Sequence, residues 1–349
     1  MGYWRLLLLL LLLGLNSHPA AQPLENIDTL LQPLLPDEPY IVDIGIKIDQ
    51  IVNIDQKSEN FEVVGNIWIE WDDETLAFDP EGRKQAFRTY TVEEFTRFVD
   101  QHDIFGPGFV IYNQQGRRFK QDSKVVVFEK GHALFIERFT ATLQAPEFDF
   151  TRYPFDKQKF FLHVDAVKPL GFLEFRPLEG FSGLGDKLGE EEWVFERSWT
   201  MVGQTEGITG KPTSRFSFGF EAGRHLNYYY LRIFLPLLII VLVSWVTFFL
   251  QDYGKRVDIA IANLLVFVAF NFTISNDLPR LGYLTFIDTI MFSAFVFSGL
   301  VVIVNVIFRR MEVLGRESLA RRMDNYTIWI YPVTLGILVS LFWFVFLAW

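Results

Sequence analysis

The residue types that usually carry catalysis are present, but they do not fall into catalytic spacings. The histidines are His18, His102, His132, His163 and His225, and they show no metal-ligand spacing. Gly180 to Gly183 reads Gly-Phe-Ser-Gly, which is not the form of a nucleophile elbow. The sequence has no glycine loop suited to a phosphate and no cysteine, which excludes disulfides, thiolate metal sites and cysteine nucleophiles. The sequence therefore predicts a protein that is not an enzyme and has no cofactor.

A short acidic run suggests a second kind of chemistry. Glu190, Glu191 and Glu192 are consecutive carboxylates on a glycine-rich segment, and carboxylate oxygens are ligands that divalent cations such as Ca²⁺ prefer. An acidic run on such a loop is more often a solvated surface. The run is therefore a weak hypothesis for a metal site.

One carboxylate lies at the start of a long apolar run. Asp258, Ala262, Leu265, Ala269 and Phe272 follow one another at steps of four and three, which puts them on one face of a helix. A carboxylate inside a membrane-spanning helix costs about 2.5 to 3.5 kcal/mol unless it faces water or a partner. Identical helices in a ring around a pore meet this need, with acids that attract cations and large apolar side chains that form constrictions.

The same carboxylate has a simpler explanation. Asp258 can reach the edge of the membrane, or it can pair with Lys255 or Arg256. The physics of a single span does not decide between this interfacial role and a pore.

Four apolar stretches are long enough to carry such a face across a membrane, for which about 20 residues are needed. We expect helices at about residues 228–250, 257–274, 286–308 and 326–349, within a transmembrane domain at residues 225–349. Basic residues cluster in the link between the third and fourth stretches and in the link between the first and second. The positive-inside rule puts both links in the cytoplasm, so the residues before the first stretch lie outside.

The N-terminal part has a different pattern. Residues 1–21 contain Arg5, eight consecutive leucines and a small-residue end, which is typical of a signal peptide. Residues 22–224 alternate apolar and polar side chains between frequent turns, which predicts an all-β, immunoglobulin-like sandwich with one helix from Val92 to Phe98. This domain holds 35 acidic and 22 basic residues, a net charge of −13. Such a surface concentrates cations and repels nucleic acid.

Several motifs in one order resemble those of the pentameric ligand-gated ion channels, also called Cys-loop receptors. Tyr153 to Gln158 reads Tyr-Pro-Phe-Asp-Lys-Gln and resembles the family's aromatic-Pro-Phe-Asp-x-Gln signature. Pro146 and Phe160 stand where animal receptors carry two cysteines, so the chain resembles the cysteine-free bacterial branch. The other matches are Trp71 to Asp73, Leu76 to Pro80, Pro107, Tyr112 with Asn113, Arg224, Pro236, Leu278 to Arg280 and Tyr283.

The resemblance implies a homopentamer around a central pore in the bacterial inner membrane, with the N-terminal domain in the periplasm. The implied partners are membrane lipids, permeant monovalent cations and either a small-molecule agonist or protons. The face that begins at Asp258 falls on the family's pore-lining face. The residues implied to couple the two domains are Asp55, Glu59, Asp156, Arg224, Pro279 and Tyr283, with Arg224 and Asp156 as a partly buried ion pair.

The resemblance is weakest at the agonist site. Tyr112 matches an aromatic position of the family's site, and Asp165 and Val167 fall near another, where an aromatic residue is absent. The capping loop, at about residues 205–213, has no aromatic residue, so a cage for quaternary ammonium looks incomplete. Phe216 and Phe218 are substitutes, although alternating phenylalanines on a strand more often belong to a core. Histidines in an acidic domain make protons a second candidate stimulus.

Three functions remain open at this point. The first is a ligand- or proton-gated cation channel, the second an anion channel of the same fold, and the third a membrane-anchored sensor that does not conduct. Asp258 and the acidic domain favour cations, and the Pro-Ala-Arg segment of anion-selective relatives is absent. Lys255 argues the other way, because cation-selective members often carry Glu there.

Overall fold

The structure, a computed structural model of the chain, describes residues 36, 38–80, 86–189, 191–207, 210–275 and 281–347. The segment expected to be a signal peptide, residues 1–21, lies outside the described residues. The strands are β1 (Tyr40–Asp55), β2 (Asn60–Asp72), β3 (Phe87–Thr91), β4 (Phe109–Ile111), β5 (Gln114–Phe128), β6 (His132–Gln144), β7 (Lys157–Ala166), β8 (Leu173–Pro177), β9 (Gly183–Leu184), β10 (Trp193–Glu206) and β11 (Pro212–Arg224). The helices are α1 (Val92–His102), α2 (Leu226–Phe249), α3 (Tyr253–Ser275), α4 (Phe286–Val313) and α5 (Glu317–Leu347).

The strands form two sheets that enclose one core. The larger sheet has the order β3-β5-β6-β2-β1-β8, with β9 also paired to β1, and the smaller has the order β10-β11-β7-β4. Strands β8 and β9 pair with β1 in parallel, and the other described pairs are antiparallel. This confirms the all-β sandwich that the alternating sequence predicts.

Large aromatic side chains fill the space between the sheets. In β6 every second residue from Ala133 to Leu143 is buried, as expected when one face of a strand meets the core. The rings of Phe160 and Phe220 stack with their centres 4.8 Å apart, and Phe61 approaches Phe160 edge-on at 5.2 Å. Rings of this size contribute much of the apolar area that the domain buries.

Helix α1 begins at the residue that the sequence indicates. The Thr91 hydroxyl accepts the backbone N–H of Glu94, and the Glu94 carboxylate accepts the backbone N–H of Thr91. Such a capping box satisfies two of the N–H groups that a helix start leaves open. The helix continues past Phe98 to His102 and buries Phe95 and Val99.

The four helices of the second part are long and apolar enough to cross a membrane, as predicted. They extend beyond the apolar runs on the side that carries the arginines. Helix α4 continues to Val313 and α5 begins at Glu317, with Gly315 at a φ of 73° in the turn between them. The arginine-rich link is therefore mostly helical, because an apolar run marks only the part of a helix that lies in hydrocarbon.

Candidate pore, coupling layer and ligand site

Helix α3 packs against the rest of the bundle with one face. The buried residues of this face are Tyr253, Arg256, Ala260, Asn263, Phe267 and Ile274. The side-chain amide of Asn263 donates to the carbonyl of Ile240 at 2.9 Å and to the hydroxyl of Ser244 at 2.8 Å, both in α2. These directional bonds fix the rotation of α3 about its own axis.

The residues predicted to line a pore lie on the opposite side of α3. Asp258, Ala262, Leu265, Ala269 and Phe272 are all exposed on the single subunit. Leu265 is 64% exposed and Phe272 is 71% exposed. The two sets are out of phase by two positions, which is about 200° around an α-helix. The face that begins at Asp258 therefore points away from the subunit's own bundle.

The two basic residues at the start of α3 have different surroundings. Arg256 is buried, and its Nη1 and Nη2 donate to the two carboxylate oxygens of Asp324 in α5 at 2.6 and 2.9 Å. Lys255 is exposed, and its backbone N–H donates to the carboxylate of Asp252 at 3.1 Å. Arg256, one of the two partners considered for Asp258, is thus committed to Asp324, and Lys255 is the basic group that remains near the exposed face.

A buried ion pair lies where the sandwich meets the helices. Nε and Nη2 of Arg224 donate to the two carboxylate oxygens of Asp156 at 2.9 and 3.1 Å. The guanidinium carbon lies 4.4 Å from the ring centre of Trp193 and 4.5 Å from that of Tyr153. Burial lowers the pKa of Arg224, but the charge and hydrogen bonds of Asp156 outweigh burial, and the pKa is raised overall. The predicted pair is present, and it is more deeply buried than predicted.

The loop between β6 and β7, which contains most of the motif from Tyr153 to Gln158 and is called the signature loop here, inserts an aromatic side chain between two helices. The ring of Phe155 lies 6.0 Å from that of Phe234 in α2 and 5.6 Å from that of Phe286 in α4. The backbone N–H of Phe150 donates to the hydroxyl of Tyr283 at 3.0 Å, so Tyr283 also lies at the domain boundary. Phe155 has no role assigned from the sequence, although it belongs to the recognised motif.

The turn between β1 and β2 faces the same boundary. The carboxylate of Asp55 accepts the hydroxyl of Ser58 at 2.7 Å, and this bond is the main reason that the pKa of Asp55 lies below its usual value. The carbonyl of Glu59 accepts the backbone N–H of Ala145 at 2.8 Å, which ties the turn to the signature loop. Asp55 and Glu59 therefore shape and anchor the turn in this structure.

The turn reaches the ion pair through Glu192, which the sequence suggested only as a metal ligand. The side-chain amide of Gln56 donates to Glu192 at 3.1 Å. The same carboxylate oxygen of Glu192 accepts the hydroxyl of Tyr229 at 3.2 Å and lies 3.4 Å from Nη1 of Arg224. Strand spacing does not reveal this contact, because the three segments are far apart in the chain.

The acidic run does not gain support as a metal site. Glu192 belongs to the cluster around Arg224, Glu191 is exposed, and Glu190 lies outside the described residues. Over the part of the chain that the structure describes, no group of three His, Asp or Glu side chains is placed to hold a metal ion. Pro279, predicted in the coupling layer, is likewise outside the described residues.

On the predicted ligand face, the structure adds an arginine to Tyr112 and Asp165. Arg215 in β11 is directly opposite Asp165 in β7, and its Nε and Nη2 donate to the carboxylate at 2.5 and 2.7 Å. Its guanidinium carbon lies 4.1 Å from the ring centre of Tyr112, and Val167 nearby on the chain is exposed. The hydrogen bond to Asp165 is the main cause that raises the pKa of Arg215.

The two phenylalanines proposed as aromatic substitutes require a correction. Phe216 and Phe218 are almost fully buried and face the core between the sheets. The reason is the alternation of β11, which puts Arg215 and Ser217 on the outer face and the phenylalanines inside. They cannot contact a ligand at the surface and belong to the hydrophobic core.

Known proteins resemble the chain over most of its length. Residues 20–167 match the family described as the neurotransmitter-gated ion-channel ligand binding domain. The chain is 26% identical over 310 residues to the proton-gated ion channel of Gloeobacter violaceus, which covers 86% of this chain and 82% of that protein. It is 25% identical over 303 residues to pH-sensitive chloride channel 2 of Drosophila melanogaster, which covers 79% of this chain and 55% of that protein. It is 21% identical over 327 residues to gamma-aminobutyric acid receptor subunit rho-2 of Rattus norvegicus, which covers 90% and 67%.

An extracellular β-sandwich followed by four apolar helices, with a buried ion pair at their junction, defines a multi-pass membrane protein of the receptor type. With the similarities above, these features resemble those of the pentameric ligand-gated ion channels.

Proposed function

We propose that the chain forms a homopentameric cation channel, with its pore lined by Asp258, Ala262, Leu265, Ala269 and Phe272. The observation that carries the proposal is the orientation of α3. One face packs on the subunit's own bundle through Asn263, and the opposite face bears an acid at one end and large apolar side chains above it. Five copies of this face around an axis form an acidic ring that attracts cations and apolar rings that can close the pore by dewetting.

The charges near the pore entrance support cation selectivity. Arg256 is neutralised by Asp324 inside the subunit, so it adds little positive field to the pore. The backbone N–H of Lys255 is the main reason that the pKa of Asp252 lies below its usual value, so Asp252 stays ionised. Asp252 and Asp258 together then outweigh Lys255, and the outer domain of net charge −13 adds a field of the same sign.

The stimulus acts on the outer domain, which lies in the periplasm when the host is a bacterium and the channel is in the inner membrane. A small-molecule agonist or protons are the two stimuli proposed. Two relatives are named for a response to protons or to pH, which supports protons. Movement of the sandwich reaches α2 and α4 through the cluster at Arg224 and through Phe155.

The test is a recording from purified protein in a lipid bilayer under a sodium chloride gradient, across a pH series and a panel of amines. A cation channel reverses near the sodium equilibrium potential. Asp258→Asn removes the acidic ring without changing side-chain volume, so we expect its reversal potential to move toward zero while the pentamer still forms. An unchanged reversal potential in Asp258→Asn would contradict the assignment of the ring.

An anion channel of the same fold is the second candidate, and two observations favour it. Lys255 is exposed at the start of α3, and the relatives include a pH-sensitive chloride channel. Reversal near the chloride equilibrium potential in the same recording selects this candidate. A protein that folds and forms pentamers but passes no current under any condition is instead a membrane-anchored sensor.

A further inference from the structure

The ligand face of the outer domain, which carries Tyr112 and Asp165, already holds a positively charged side chain of the protein itself, Arg215. The guanidinium of Arg215 lies over the ring of Tyr112, with 4.1 Å between its carbon and the ring centre, and it makes two hydrogen bonds to Asp165. We propose that Arg215 is a tethered cation that occupies a latent amine site formed by Tyr112 and Asp165. The inference rests on the proposed function only in taking this face as the ligand-binding face of the channel.

The two groups around Arg215 are those that recognise an organic ammonium ion. An aromatic face attracts a cation through its quadrupole, and a carboxylate supplies the opposite charge. The side chain of Asp165 is only 5% exposed, whereas the residue Tyr112 is 62% exposed. The site therefore combines a buried carboxylate with a ring that solvent can reach. Arg215 contacts both groups at the same time.

The latent site is built on strands and does not depend on Arg215 for its shape. Asp165 lies between Val110 of β4 and Arg215 of β11 in the paired strands. The backbone N–H of Tyr112 donates to the carbonyl of His163 at 2.9 Å, which holds the tyrosine beside β7. The side-chain amide of Asn113 donates to the carbonyl of Phe161 at 2.7 Å and fixes the same turn. The backbone positions of Tyr112 and Asp165 therefore do not depend on the guanidinium.

This arrangement accounts for an incomplete cage in a receptor of this family. The capping loop supplies no aromatic residue, and an external amine must displace a guanidinium that is held by a bidentate pair. The wild-type chain is expected to respond poorly to simple quaternary ammonium ions. Substitution of the arginine is expected to expose the amine site.

The experiment is a calorimetric titration of the purified full-length chain with tetramethylammonium. We expect Arg215→Gln to bind this ion roughly tenfold or more tightly than the wild type, because the ring and the carboxylate become available. The gain should disappear in Arg215→Gln with Tyr112→Ala, and also in Arg215→Gln with Asp165→Asn. Arg176→Gln is the matched control and should leave the affinity unchanged, because Arg176 makes a similar bidentate pair with Asp43 and has no ring contact among the described residues.

Two outcomes overturn the proposal. One is a folded Arg215→Gln whose affinity equals that of the wild type, and the other is a gain that survives the loss of Tyr112. If Arg215→Gln does not fold, Arg215→Met keeps the apolar stem and serves in its place, with a thermal melt as the check on folding. The titration needs no current, so a protein that never conducts contradicts the channel proposal without deciding this one.

Discussion

Arg224 shows how one side chain connects distant parts of the sequence. Its charge is balanced by Asp156 in the signature motif, and its guanidinium lies within 4.5 Å of the ring centres of Trp193 and Tyr153. The motif resemblance predicted the ion pair, because both partners belong to recognisable positions. It did not predict the two rings, since no spacing in the sequence shows which aromatic side chains lie above a guanidinium.

The first prediction concerns this ion pair. In Arg224→Ala the carboxylate of Asp156 remains buried without its partner, and loss of one member of a buried pair costs about 3 to 5 kcal/mol. We expect poor assembly, or pentamers that do not open, measured by size-exclusion chromatography and bilayer recording. Arg176→Ala removes an exposed bidentate pair and should behave as the wild type. Normal currents from Arg224→Ala would show that the pair is not needed for coupling.

A second prediction follows from His163, which bonds to the hydroxyl of Ser217 at 2.8 Å. Burial, and then the charge of Arg215, lower the pKa of His163 from its ordinary value of 6.5. The folded state therefore binds a proton less readily than the unfolded state, so stability that is present above the ordinary value is lost as the pH falls below it. The melting temperature of His163→Asn should fall less than that of the wild type between about pH 7.5 and about pH 5. His102→Asn, at an exposed site on α1, should follow the wild type, and equal falls in all three proteins would contradict the assignment.

The helices show what an apolar pattern predicts and what it omits. The four apolar runs predicted four helices, but the cytoplasmic ends of α3, α4 and α5 extend into charged sequence. The length of an apolar run reflects the thickness of the hydrocarbon layer that the helix crosses. The helix itself continues beyond that run where the groups at its ends find hydrogen-bond or ionic partners. Arg256 and Asp324 are such partners, and they lie in two stretches that the sequence analysis treated as links.

The third prediction tests this contact between α3 and α5. Asp324→Ala leaves the buried guanidinium of Arg256 unpaired, so we expect a loss of about 3 to 5 kcal/mol in stability, seen as a lower temperature for the loss of the pentamer. Glu317→Ala is the control on the same helix, because Glu317 and its partner Arg321 are both largely exposed. Equal effects of the two substitutions would mean that the buried pair does not anchor α5.

At the scale of the whole molecule, the segregation of charge and apolar residues predicted the two domains, but not how they contact each other. The acidic net charge of −13 and the apolar runs are properties of composition, and they follow directly from the sequence. The contacts between domains depend on side chains that meet only after folding. Tyr229 with Glu192 is one such contact, and Phe155 with Phe286 is another. The contact between Arg215 and Tyr112 on the ligand face is equally hard to predict from the sequence. These two residues come together only through the pairing of β4, β7 and β11.

The last prediction concerns the transmission between the two domains. Phe155 makes ring contacts with Phe234 in α2 and Phe286 in α4, so its removal should weaken the connection without altering the ligand face. In Phe155→Ala we expect the intrinsic fluorescence of the outer domain to respond to pH as in the wild type, while the current at the same pH falls at least about tenfold, a coupling loss of about 1.4 kcal/mol. Phe87→Ala, on the edge strand β3, removes a partly exposed ring of the same size and should change neither measurement. If fluorescence and current fall together in Phe155→Ala, the side chain stabilises the outer domain and does not transmit its movement.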